Sequence, residues 1–309
     1  MALVTLLVAL LAVVGVVGVV VALVLLTARG GLNAPPAPSE AAAASRRHSI
    51  ATHVAAWLVP LLVGPVGLLL ATRALPQLGV WGGATYNAIL AALYPAVLGL
   101  LFLAVHAVGE LTWPRPTGMV RRAALEPRRR RDVVPNLMHR ATWGWFGALV
   151  LTLLAFGATA TDGRKVTGTE PSSAMTASPY PGWFYGVPLL ITATVLLVAC
   201  EGVLHLVARR PAVVDADPTY DAASRRLSAH RALRGVELLL AGILAAVLVL
   251  AGSALTRVDH ELLGPVVTWI GVGVGLAGVV LALLPAAPAV PSPVPGAAGA
   301  TAPPLGTRP

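Results

Sequence analysis

The sequence predicts an all-α fold, a polytopic membrane protein built as a bundle of seven transmembrane helices with the N-terminus outside and the C-terminus inside. Hydrophobic residues make up 57% of the chain and charged residues only 11%, whereas soluble domains carry about 25% charged residues. Seven apolar stretches are each long enough to cross a bilayer, and the loops between them are alternately rich and poor in basic residues. The net charge of +9 therefore comes from basic residues in loops, which indicate membrane topology and not nucleic-acid binding.

The spans follow from length and hydropathy, since a helix rises about 1.5 Å per residue and about 20 apolar residues cross the hydrocarbon. The first span carries no charge and no positive residue precedes it, so it is predicted to be an uncleaved helix and not a signal peptide. The Pro- and Ala-rich tail, 286–309, is predicted to be disordered and cytoplasmic. The transmembrane domain covers 1–285, with predicted spans at 2–27, 52–72, 85–110, 142–159, 184–208, 235–255 and 263–284.

The arginines predict the orientation, because cytoplasmic loops of membrane proteins carry an excess of Lys and Arg. With the N-terminus outside, eighteen of the 22 basic residues are cytoplasmic. The opposite side keeps Arg73, Arg164, Lys165 and Arg257. The chain is therefore predicted to be a multi-pass protein of a bacterial plasma membrane, with the lipid bilayer as its surroundings.

The loop after the third span contains a run of four arginines, Arg128, Arg129, Arg130 and Arg131. Basic clusters next to a membrane span bind anionic lipid headgroups, and they also fix topology. We expect this run both to contact anionic lipid headgroups and to fix the topology.

Apart from His53 at the start of the second span, five Glu and His residues fall inside predicted spans, where a charge at the bilayer centre costs roughly 2.5–3.5 kcal/mol. His106 and Glu110, and likewise Glu201 and His205, are four residues apart and share a helical face. Glu237, just inside the sixth span, is predicted to reach a similar depth. The sequence therefore predicts one intramembrane polar cluster of these five residues near the cytoplasmic side, with Glu201 the deepest.

Four interpretations of this cluster remain open from the sequence. A carboxylate and an imidazole held together in low dielectric can pass protons. His106, His205 and the acids could bind a divalent metal, because His and carboxylate suit Zn or Fe. His106 and His205 could also ligate haem from two helices. Alternatively, Glu110 and His205 lie at the headgroup level, and Glu201 is neutral or hydrogen-bonded to a neighbouring helix.

Sequence motifs favour no enzyme class. Walker A, H-E-x-x-H, C-x-x-C and G-x-S-x-G patterns are absent from the sequence. Residues 273–278 fit G-x-G-x-x-G, but no predicted strand precedes them. Gly271 and Gly275 instead predict a face of small residues for close helix packing.

Two segments resemble proteins of a known group. Glu110–Gly118 and Ser178–Pro188 are similar to segments of uncharacterised multi-pass membrane proteins from actinobacteria, and the likeness extends over about residues 53–255. The resemblance implies a membrane protein of a GC-rich bacterium. No activity, ligand or functional residue follows from it.

The leading functional hypothesis is a membrane component of small-solute or ion transport, with no catalytic residue and no cofactor predicted. A haem- or metal-binding membrane protein is the first alternative. A non-catalytic scaffold that recruits a cytoplasmic protein through the Arg-rich loops is the second. An ATP-driven role would need a separate ATPase chain, because no nucleotide-binding motif is present.

Overall fold

The computed structural model describes residues 39–77, 84–114, 133–168, 175–213, 218–258 and 260–286, together with single positions 18, 21, 25 and 37. Apart from those single positions, the predicted first span lies outside the described residues. The tail from residue 287 and the run Arg128 to Arg131 lie outside them too.

Six helices and one short hairpin make up the described part of the chain. The hairpin pairs β1, Val166–Thr167, with β2, Thr176–Ala177, in antiparallel register. The helices are α1 (Glu40–Gln77), α2 (Ala84–Leu111), α3 (Asn136–Thr159), α4 (Trp183–Arg209), α5 (Pro218–Thr256) and α6 (Leu263–Leu283).

By length and composition, all six helices could cross a membrane. They confirm the all-α fold class, each overlaps one of the second to seventh predicted spans, and they are compatible with a multi-pass membrane protein. Large apolar side chains cover the outside of the bundle. Leu151 on α3 is 69% exposed and Trp269 on α6 is 71% exposed, as expected where lipid replaces water as the solvent.

Two helices are much longer than the predicted spans. α1 has 38 residues and α5 has 39, although hydropathy predicts spans that begin only at 52 and 235. The extension of α1 is rich in alanine, the strongest helix former, and the Ser39 hydroxyl accepts the Ala42 N–H at 3.1 Å as an N-terminal cap. The extension of α5 is polar and gains its stability from the contacts described below.

Successive helices run in opposite directions, so six helix termini meet at one end of the bundle. α1, α3 and α5 begin at this end, while α2, α4 and α6 finish there. We call it the Arg-rich end. The contacts across it include His48 Nε2 with Gly109 O, Tyr220 Oη with Ala42 O, Arg225 Nη1 with Val207 O, and His230 Nε2 with Leu284 O.

The hairpin covers the opposite end of the bundle. Tyr180, which follows β2, is only 2% exposed and packs in an apolar cluster with the end of α5. Its hydroxyl lies 2.8 Å from Thr159 Oγ1 at the end of α3. The segment between α3 and α4 is therefore partly folded onto the bundle.

Helix α5 is the centre of the core, and α6 packs closely along it. Leu240, Leu244 and their neighbours on α5 are buried on all sides. Gly271 of α6 lies against the backbone of Ala245, where an added Cβ would meet Ala245 O at 2.9 Å. The close packing expected at Gly271 is thus present in the structure.

Candidate functional site

The Arg-rich end contains an extended set of buried polar side chains contributed by α1, α2, α5 and the residue after α4. Charged residues are almost never fully buried without partners, so each needs an explanation. The charged residues and histidines of the set are His53, His106, Glu110, Arg210, Asp221, Arg225, His230, Arg231 and Arg234.

An ion pair joins α2 to the end of α4. Arg210 Nη1 donates to Glu110 Oε2 at 3.1 Å, with the two side chains 0% and 5% exposed. The same nitrogen donates to Ser228 Oγ at 3.1 Å, and the guanidinium lies 3.6 Å from the centre of the Trp113 ring. Burial lowers the pKa of Arg210 and Glu110 opposes that shift, but a guanidinium stays charged in proteins.

A second buried arginine holds α5 against the end of α4. Arg225 Nε donates to Asp221 Oδ2 at 2.9 Å. Its two terminal nitrogens donate to the carbonyl oxygens of Val207, Ala208 and Arg210 at 2.7, 3.1 and 2.8 Å. The last carbonyls of a helix have no partner within it, so Arg225 caps α4 with a positive charge at its negative end.

Two further arginines of α5 are buried without a carboxylate partner among the described residues. Arg231 Nη1 donates to Ser49 Oγ at 2.8 Å and to Ser49 O at 3.3 Å. Arg234 Nη2 contacts His230 Nε2 at 3.1 Å and Leu284 O at 3.3 Å. Each arginine is 7% exposed, so this part of the bundle holds positive charge that no described carboxylate compensates.

A small cleft opens between α1, α2 and α5 beside the Glu110–Arg210 pair. It has room for about one water molecule. Two of its side chains carry a buried nitrogen with no hydrogen-bond partner in the described structure, Nε2 of His106 and Nε1 of Trp113. The lining residues are Ser49, Thr52, His106, Gly109, Glu110, Trp113, Ser228 and Arg231.

His106, which lines the cleft, and His53, which lies behind it, have their imidazoles together in an aromatic pocket. The ring centres of His53 and His106 are 5.7 Å apart. Phe102 packs on His106 at 4.7 Å, and Trp57 Nε1 donates to His53 Nε2 at 3.3 Å. Nδ1 of His53 has no partner within the described residues. Each imidazole of the pair therefore has one buried ring nitrogen without a hydrogen-bond partner among the described residues.

The structure divides the five residues of the predicted cluster among several places. His106 and Glu110 line the cleft together. Glu237 is fully buried on α5 and accepts a hydrogen bond from Trp145 Nε1 at 2.8 Å. Glu201 lies against α3, whereas His205, one turn further along α4, is exposed.

Glu201 is paired with a histidine that the sequence did not single out. Its Oε1 lies 2.9 Å from His139 Nε2 and accepts a hydrogen bond from Trp143 Nε1 at 3.0 Å. The spacing of Glu201 and His205 correctly places them on neighbouring turns, but it does not indicate which helix each one meets. The i, i+4 repeat of His139 and Trp143 would have been the signal.

The most important residues missed by sequence reasoning are Arg210, Arg225, Arg231 and Trp113. The arginines were interpreted as topology markers because they flank apolar spans. One signal was present, since Asp221, Arg225 and Ser228 follow i, i+4, i+7 spacing and so share a helical face. A polar face at that spacing indicates a helix, with partners, and not a loop.

The arrangement gives little support to a metal or haem site. Across the described ranges, no group of three or more His, Cys, Asp or Glu side chains could hold a metal ion. His106 is buried beside His53, whereas His205 is exposed. The donor set proposed for two-histidine haem ligation therefore does not fit.

The chain matches no family model, no curated protein and no solved structure. The resemblance to actinobacterial membrane proteins stays a prediction.

Proposed function

We propose that this chain is a multi-pass protein of the bacterial plasma membrane that moves a small ion, and that the ion passes the cleft at the Arg-rich end. The observation that carries the proposal is a buried ionisable network left incomplete around that cleft. Ionisable residues inside a transmembrane bundle are costly, and they characteristically mark ion and proton pathways.

The incompleteness of the network distinguishes it from a purely structural one. A network that serves only packing is expected to satisfy its buried polar groups, since each unsatisfied group costs about 1–3 kcal/mol. Here His53 Nδ1, His106 Nε2 and Trp113 Nε1 lack partners in the described residues. His53 lies behind the cleft, and His106 and Trp113 line it. Nε of Arg210 and of Arg234, in the same network but outside the lining, also lack partners among the described residues. A ligand in the cleft would complete the two groups of the lining.

The proposed topology has seven spans, the N-terminus outside and the Arg-rich end in the cytoplasm. Its support is the distribution of basic residues. Arg209, Arg210, Arg225 and Arg226 lie at the end where α4 meets α5, whereas Arg164 and Arg257 lie at the opposite end. Cytoplasmic ends carry the excess of arginine. The contact of Arg128 to Arg131 with anionic lipid belongs to the same proposal.

Labelling of single cysteines tests this topology. We expect a cysteine at Arg226 to react only after the cytoplasmic side is opened, and one at Arg164 to react in intact cells. Reaction of Arg226→Cys in intact cells would overturn the proposed orientation. Cys200→Ala supplies the cysteine-free background, because Cys200 is the only native cysteine.

Flux into liposomes tests the transport function. We expect the purified chain to move protons, chloride, sodium or potassium, read with ion-selective dyes, and His106→Gln to abolish the flux. His205→Gln is the matched control, because it makes the same change at an exposed position and should keep wild-type flux. Equal flux in both variants would remove the cleft from the path.

Absence of flux for all four ions in the folded wild-type protein would overturn the transport proposal. A soluble protein that co-purifies with it would then favour the scaffold function. A Soret band or stoichiometric metal would favour the haem- or metal-binding function. Glu201→Gln belongs in the same series, since it tests whether the His139–Glu201 pair contributes separately.

A further inference from the structure

We propose that the cleft at the Arg-rich end, which His106 also lines, binds a chloride-sized anion held by Arg231 and the indole N–H of Trp113. This inference rests on the proposed function and names the ion that it concerns. Three features of the cleft support it: its charge, the donors in its lining and its size.

Charge is the first feature. Arg231 is 7% exposed, and its described hydrogen bonds go to the neutral oxygens of Ser49. Glu110, a carboxylate in the lining, is already held by Arg210, so the pair contributes no net charge. The cleft therefore has one uncompensated positive charge, and a buried charge without a counter-ion is strongly unfavourable. An anion beside Arg231 would compensate it.

The lining also presents hydrogen-bond donors. The indole Nε1–H of Trp113 can only donate, and this residue is 4% exposed with no described partner for that group. Ser49 Oγ and Ser228 Oγ each accept from an arginine, which leaves their own hydroxyl protons free to donate. A cation would need acceptors at these positions, whereas an anion uses the donors.

Size restricts the anion. The cleft has room for about one water molecule, which suits a monatomic halide. A tetrahedral sulfate or phosphate would require α1 and α2 to move apart. That movement is opposed at Gly109, where His48 Nε2 lies 2.8 Å from the carbonyl oxygen. The site is therefore expected to select a monatomic halide such as chloride or bromide over sulfate or phosphate.

Anion-dependent stability of the purified full chain in lipid nanodiscs tests the site. We expect the midpoint of thermal unfolding to rise saturably with sodium chloride, relative to sodium gluconate or sodium sulfate at equal ionic strength. We expect bromide to bind the same site and to quench part of the tryptophan fluorescence. Equal midpoints in chloride and gluconate for the wild-type protein would overturn the proposal, with water as the occupant of the cleft.

Two variants locate the binding. Trp113→Phe keeps an aromatic ring beneath Arg210 but removes the indole donor, so we expect chloride to bind about tenfold more weakly. Arg231→Gln removes the charge, and we expect it to abolish the chloride effect. Trp143→Phe and Arg209→Gln are the controls outside the lining, Arg209 being an exposed arginine, and both should keep wild-type chloride affinity.

Folded Trp113→Phe protein with wild-type chloride affinity would overturn the assignment, even if Arg231→Gln fails to fold. Flux and binding separate the two proposals. Proton or cation flux without chloride binding would leave the transport proposal standing and remove the anion site. Chloride binding without any ion flux would leave the anion site standing and remove the transport proposal.

Discussion

Arg210 and Glu110 are 100 residues apart in sequence, yet Arg210 Nη1 donates to Glu110 Oε2 at 3.1 Å. The pair joins the end of α2 to the residue after α4, and both side chains are almost completely buried. A buried ion pair adds little net stability compared with apolar residues, but loss of one partner leaves a charge stranded. The Arg-rich end therefore depends on both members being present.

Glu110→Gln is expected to lower the free energy of unfolding by about 3–5 kcal/mol, because the Arg210 charge stays buried without its counter-ion. Arg210→Gln should have an effect of similar size. The measurement is denaturant unfolding in detergent, followed by circular dichroism.

A double-mutant cycle is the control for this pair. We expect the Glu110→Gln, Arg210→Gln double variant to be less destabilised than the sum of the two single variants. Additive losses would show that the two side chains do not interact energetically in the folded protein.

Arg225→Lys is expected to destabilise the protein although it preserves the charge. Arg225 uses its three nitrogens on Asp221 and on three carbonyls at the end of α4, and a lysine ammonium cannot span that set. We expect a loss of at least about 2 kcal/mol in the free energy of unfolding. Arg226→Lys, one position along and only partly buried, is the control and should change it by less than about 0.5 kcal/mol.

Gly252→Ala should destabilise the protein, whereas Gly242→Ala should not, although both glycines lie in α5. A Cβ at Gly252 would come within 2.6 Å of Gly264 O and 2.7 Å of Thr268 N, both on the backbone of α6. We expect it to push the helices apart at a cost of about 1–3 kcal/mol. Gly242 has nothing within 4 Å, so alanine there should be neutral or stabilising by up to about 1 kcal/mol. Thermal unfolding of the two variants side by side provides the comparison, and equal midpoints would contradict the close packing of α5 and α6.

Alkaline pH should weaken the end of the bundle that the hairpin covers. Burial raises the pKa of Tyr180 above its usual value, so the unfolded chain ionises first as the pH rises. The stability linked to this tyrosine is present below pH of about 10 and is lost above it. We expect the unfolding midpoint of the wild type to fall more steeply above that pH than that of Tyr180→Phe. Parallel curves for the two proteins would remove Tyr180 as the cause.

Much of the fold was predictable because hydropathy and helix length are read along the chain. The second to seventh predicted spans correspond to α1 to α6, and the alternation of basic and non-basic ends agrees with their directions. Hydropathy does not predict the helical extensions of α1 and α5, since the polar stretch from Asp221 to Arg234 lies between two predicted spans. This part of α5 is stabilised by hydrogen bonds from Arg225 to Val207 and Ala208 and from Arg231 to Ser49, none of which is local in sequence.

The candidate site was predictable only in part. The sequence singled out His106 and Glu110 by their helical spacing and by the cost of placing them in lipid, and both line the cleft. It did not indicate Trp113 or Arg231, because a residue that flanks an apolar span has the same pattern whether it faces solvent or a neighbouring helix.

By itself, the sequence determined that the described chain forms apolar helices of membrane-crossing length, because burial of backbone hydrogen bonds within each helix is a local requirement. Only the tertiary structure decided that Glu110 meets Arg210, that Glu201 meets His139 and that His205 is exposed. Those pairings depend on how each helix is rotated and how far it extends past its neighbours. Packing between helices sets the rotation and the extension of each helix, and neither can be predicted from hydropathy.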